Sequence, residues 1–168
     1  MKRICLLLLS LCMLLCMPLT AAATSTTITV EVPEPDYHLS IPSDLEIDYQ
    51  AENCTLGVPT VTESSGFKEG MYLKVAVSHS GKFTCPDVST VIPFVFSMAT
   101  AEGSSEWSSG DCLIFDRTES GSVSTTGHAS GGAVPTGMIF AFSAEDWEAA
   151  YPGKYTTVIT YTASIVTP

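Results

Sequence analysis

The strongest constraint on this fold is a period-two alternation near the end of the chain. Tyr155, Thr157, Ile159, Tyr161, Ala163 and Ile165 fall on one side of an extended backbone. Thr156, Val158, Thr160, Thr162 and Ser164 fall on the other. Successive strand side chains point to opposite faces, so residues 155–166 predict a long strand with one face buried and one hydroxylated face in solvent. A helix would scatter the same residues around its circumference.

The spacing recurs upstream. It links Ile28, Val30 and Val32; Leu45, Ile47 and Tyr49; and Met71, Leu73, Val75 and Val77. It also links Ile92, Phe94, Phe96 and Met98, and Met138, Phe140 and Phe142. Shorter runs at 58–62 and 113–115 bring the expected number of strands to about seven to nine. Pro33, Pro35, Pro42, Pro59, Gly66, Gly70, Gly81, Pro86 and Pro152-Gly153 punctuate the runs, as turn residues do. Short, evenly spaced strands without helical patterns between them predict an all-β fold, an antiparallel β-sandwich. One stretch reads as a short helical turn. Ser143 can cap it, Glu145 and Asp146 suit its first turn, Trp147 can pin it to the core, and Pro152-Gly153 stops it. Residues 118–136 hold almost no large apolar side chain and read as a long mobile loop. Residues 99–111 read as a second loop, carrying Trp107.

The chain opens on Met1-Lys2-Arg3, an apolar run over 4–15 and then Ala21-Ala22-Ala23. That order predicts a cleavable export signal over residues 1–23 and a single domain over 24–168. The apolar run is shorter than the roughly 20 residues that span a bilayer, so no membrane insertion is expected after cleavage. Lys2 and Arg3 leave with the signal. Five Lys and Arg then face eighteen Asp and Glu, a formal charge of −13. A surface this acidic repels nucleic acid and anionic lipid. The expected location is secreted, extracellular or at the cell surface.

Export leaves three of the six cysteines, Cys54, Cys85 and Cys112. An oxidising compartment predicts one disulfide among them with a third thiol left over, and the spacing does not choose the pair.

The two ends of the chain resemble a known type. Ile28-Thr29-Val30-Glu31-Val32-Pro33, then Tyr37-His38-Leu39-Ser40-Ile41-Pro42, opens it. Trp147, Pro152-Gly153-Lys154-Tyr155 and the alternating strand close it. This is similar to small secreted bacterial Ig-like β-sandwich proteins of the surface and pilin-subunit type. The resemblance implies an Ig-like sandwich with a structural or adhesive role and no catalytic residues to transfer. The chain departs from wall-anchored proteins in lacking an LPxTG motif, which puts wall anchoring in doubt.

Catalytic chemistry finds little purchase. His38, His79 and His128 are scattered, with no HxH or HExxH pair and no GxSxG elbow. An activated cysteine needs a cationic setting, and five basic residues make that scarce. Asp44, Glu46 and Asp48 alternate along one expected strand, and Glu145, Asp146 and Glu148 cluster in the helical turn. Both sets are the chain's candidates for Ca²⁺. Alternate strand side chains stand roughly 7 Å apart, too wide for one ion, so no metal and no cofactor is expected. Asn53-Cys54-Thr55 fits a glycosylation sequon. Two functions follow. One is a non-catalytic structural or adhesive surface module that assembles through sheet edges with copies of itself or other surface proteins. The other is a soluble extracellular binding protein whose loops near Trp107 and over 118–136 hold a carbohydrate, a peptide or a host protein.

Overall fold

The computed structural model describes residues 30–168. Contacts divide the chain into Met1–Val32 and Pro33–Pro168, and every element below belongs to the second unit. The expected export signal and residues 24–29 lie outside the described residues. Of the expected first strand only Val30–Val32 is described, and it forms no strand.

The described residues form an all-β, antiparallel fold of twelve strands and one short helix. In chain order the strands are β1 (Asp36–Ser40), β2 (Asn53–Leu56), β3 (Thr60–Ser65), β4 (Tyr72–Ser78), β5 (Lys82–Thr84) and β6 (Val91–Pro93). They continue with β7 (Val95–Thr100), β8 (Gly103–Glu106), β9 (Cys112–Asp116), β10 (His128–Ala129), β11 (Pro135–Ala141) and β12 (Thr160–Val166). Several of these are only two to four residues long, which is where the number exceeds the sequence expectation.

One four-stranded sheet runs β10-β9-β4-β12 and another β2-β11-β7-β8, with two-stranded pairs β1-β3 and β5-β6 beside them. Leu73, Val75 and Val77 of β4 and Leu113 and Phe115 of β9 are wholly buried. They share one core with Phe96 and Met98 of β7 and Met138 and Phe140 of β11. Two sheets thus turn their apolar faces to a common interior, as the sheets of a sandwich do. The packing is tight. A Cβ on Gly127 would stand 2.9 Å from the Phe115 ring, so only glycine fits there.

Helix α1 (Ala144–Ala149) starts where the sequence places it, with the Ser143 hydroxyl accepting from the Asp146 amide. Its Trp147 indole N–H donates to the Ala51 carbonyl at 3.0 Å, and its ring meets Phe142 and Tyr49.

Several sequence readings need correction. The last strand, expected over 155–166, begins at Thr160, and residues 155–159 make only an isolated bridge at Thr156. Residues 99–111, expected as a loop, hold the end of β7 and all of β8. Residues 45–49 have strand spacing but form no strand; they lie in an irregular connection after β1. Residues 118–136 are not a loose loop. The Val61 amide donates to the Thr125 carbonyl at 3.0 Å and the Phe67 amide to the Gly121 carbonyl at 2.9 Å. The Ser124 amide donates to the Asp116 carbonyl at 2.8 Å, and bridges join Thr60 to Thr126 and Arg117 to Val123. Residues 121–126 form a strap laid between β3 and the end of β9, with Val123 in it buried.

The expected disulfide is not formed among the described residues. Cys54, Cys85 and Cys112 are all free thiols. Cys54 sits opposite Phe140 on the inward face of the β2 sheet. Cys112 sits opposite Ala76, on the outward face of the other sheet. Cys85 is buried after β5, against Gly153. Sheet backbone stands between Cys54 and Cys112, so those two cannot bridge.

Candidate functional site

Sequence chemistry comes together at few points. Asp44, Glu46, Asp48, Glu145 and Glu148 are exposed, and no group of three or more His, Cys, Asp or Glu among the described residues is placed to hold a metal ion. With 41–48 irregular, the array of carboxylates along a strand, on which the Ca²⁺ candidates rested, is not formed. Asp146 is engaged by Ser143.

The histidines are separately occupied. His38 on β1 meets the Thr62 hydroxyl at 3.0 Å. His79 packs against Phe94 and Phe96 with Nε2 at 3.2 Å from the Trp107 carbonyl. Its Nδ1 is buried without a hydrogen-bond partner. His128 directs Nδ1 at the Ala129 carbonyl, 2.7 Å away, and Nε2 at the Asp116 carboxylate, 2.9 Å away. Both ring nitrogens thus face acceptors, an arrangement that favours imidazolium. The Ala129 carbonyl raises the pKa most and Asp116 adds to it, against a lowering by partial burial. With both nitrogens engaged, His128 has none free to take a proton from a nucleophile.

Trp107 is a core residue, 3 % exposed, its backbone N–H donating to the Phe96 carbonyl at 2.8 Å. It is not an aromatic presented on a loop. Asn53 is exposed at the start of β2.

The molecule's open chemistry lies elsewhere. A groove of about 240 Å³ opens where the approach to β12 meets the connection after β1. Ile47, Leu56, Phe83, Phe140, Ile159 and Tyr161 contribute to its lining. Three exposed apolar side chains, Ile41, Leu45 and Val158, also line it. Apolar side chains gathered at one concave place mark a contact surface more often than scattered ones do. The Tyr161 hydroxyl is buried without a partner, and burial pushes its pKa up to about 12.

Beside the groove runs the outer edge of β12. Seven consecutive residues pair with β4 without a register shift, and on the other side β12 has no strand neighbour among the described residues. No charged residue follows Lys154 in the chain. The other edges of the two four-stranded sheets, and that of β1, are blunted. β10 has two residues and adjoins the strap. β8 is four exposed residues ending in Glu106. β2 has four and is followed by Gly57 and Pro59. β1 carries a bulge between His38 and Leu39. Charge, brevity and bulges are the devices that protect sheet edges, and β12 has none of them.

Sequence reasoning identified the strand but not the edge, since an edge is defined by the absence of a neighbour. No family model, no curated protein and no solved structure matches this chain.

Proposed function

We propose that the chain is a secreted, non-catalytic structural or adhesive surface module that engages its partner by accepting an extended strand at β12. The observation that carries this reading is the edge itself: seven regular, uncharged residues with no outer strand neighbour among the described residues, beside a largely apolar groove that also holds Asp44. An added strand satisfies the backbone groups of such an edge whatever its sequence, and the groove selects for apolar side chains at alternate positions. The acidity of the chain supports an extracellular, soluble habit. The reading as a soluble binding protein with gripping loops draws less support, because Trp107 is buried and residues 118–136 are tied down.

Hydrogen exchange read by mass spectrometry tests the proposal on the chain recovered from the medium of secreting cells. Alone, the β12 amides should exchange faster than those of β4. Adding a surface extract of the same cells should slow β12 by about tenfold or more. Protection confined to residues 118–136 would favour the loop-binding reading instead.

A further inference from the structure

We infer that the strand accepted by β12 is the β12 of a second copy, running antiparallel about a twofold axis at Ala163; this rests on the reading of β12 as a strand-accepting edge. A strand that pairs with itself must satisfy two conditions at once. Inward side chains must meet inward ones, and residues whose N–H and C=O point outward must meet residues of the same kind. Both conditions require partners an even number of residues apart. Among such registers, the one centred on Ala163 uses all seven residues of β12. Shifting the centre by one residue either way leaves two of them unpaired.

The side chains suit that register. On the outer face Thr160 meets Val166 and Thr162 meets Ser164, pairings of small, hydroxylated or β-branched residues that strands favour. On the inner face Tyr161 meets Ile165, an aromatic–aliphatic pair. Ala163 meets its own copy on the axis.

The charge pattern admits a second copy at this edge and disfavours a basic partner. Every other face of this molecule belongs to a chain with a formal charge of −11, and −13 once Lys2 and Arg3 are removed. A basic partner would be drawn to the carboxylates. β12 carries none, and its paired neighbours on β4 include Ala76 beside Thr162 and Lys74 beside Ser164. Two copies can therefore approach through β12 with less repulsion than through a carboxylate-bearing face. The strand is short, roughly 23 Å. It buries less than the roughly 800 Å² per partner of a standard interface, so the dimer is weak and depends on concentration.

Sedimentation velocity over a range of concentration and salt tests this on the chain from culture medium. Wild type should shift from monomer to dimer as concentration rises. Added salt should tighten the dimer by about tenfold as like-charge repulsion is screened. Thr162→Lys and Ser164→Lys should each weaken it by about tenfold or more, with thermal melts confirming that both fold. The register is read by mixing T162C with S164C under mild oxidation and mapping the disulfides. The mixed 162–164 cross-link should exceed the 162–162 and 164–164 links. A monomer at every concentration, a dimer indifferent to both lysines, or equal cross-linking in all three pairings would overturn the inference.

A final arm separates this from the reading beneath it. An uncharged alternating Thr-Val octapeptide is added to the monomer and β12 exchange is followed. Protection by the octapeptide in a chain that never dimerises overturns self-pairing and leaves strand acceptance standing. No protection by the octapeptide and no dimer overturn both.

Discussion

β4 and β12 lie side by side in one sheet, yet they live in different environments. Leu73, Val75 and Val77 of β4 are wholly buried, whereas Tyr161, Ala163 and Ile165, their partners across the ladder, all remain partly exposed. The side chains are comparably apolar. The difference is that, among the described residues, β4 has a strand on each side and β12 has one. Burial in a sheet is set by neighbours, and a strand with one neighbour leaves apolar surface that a partner can take.

Truncation across a single rung probes that contrast most directly. Leu73 and Ile165 face each other. Leu73→Ala should cost about 3–5 kcal/mol, because it opens a cavity in a dry core. Ile165→Ala should cost about 1–2 kcal/mol, since part of its surface is already wet. Equal losses in urea denaturation would mean that β12 is as enclosed as β4, and the comparison would fail.

A smaller effect runs the other way. Tyr161 keeps a buried hydroxyl without a partner, a cost that β4 does not carry. Tyr161→Phe should therefore stabilise the fold by about 1 kcal/mol. The pH dependence sharpens the point. With the folded pKa near 12 and above the ordinary value of 10, the wild type loses stability as pH rises from about 10 towards 12. The phenylalanine variant should lose less over that window. Identical alkaline denaturation curves would show that this hydroxyl is hydrated.

The smallest effect is expected at the far edge of the same sheet, where His128 ties β10 to β9. Its pKa is raised in the folded state. The stability it adds is complete below the ordinary histidine value, near pH 6.5, and is lost as pH rises through the raised value. His128→Gln should flatten that part of the profile, followed by thermal melts between about pH 5 and 8.

What the sequence disclosed depended on whether pattern and pairing agreed. The facing of residues 155–166 was legible because each expected inward residue is the less exposed one, from Tyr155 to Ile165, although the strand itself begins only at Thr160. β4, β7 and β11 were legible for the same reason. Leu45, Ile47 and Tyr49 carry the same spacing and mislead, because spacing shows which strand a segment could form and not whether a partner strand is beside it. The strap over 121–126 was invisible for the opposite reason. Its order comes from backbone hydrogen bonds, which Ser, Thr and Gly side chains do not announce. Trp107 reads as a loop aromatic because its flanks are polar, yet it is buried. The groove joins residues from the forties to the one hundred and sixties, and no local pattern records that meeting.

The pairing of β4 with β12 also governs when the fold can be completed. Ser78 waits for Thr160 and Tyr72 for Val166, so β4 gains its second neighbour only after about eighty further residues have been made. Ladders between such distant segments close slowly, on a scale of roughly milliseconds to seconds. Until then β4 offers an open edge with Leu73, Val75 and Val77 behind it, more apolar than the edge that β12 presents afterwards. In a chain emerging in order from its first residue, that interval is when chance association with other strands is most costly. Shortening the interval, or shielding β4 during it, is what a helper of this chain's folding would have to do.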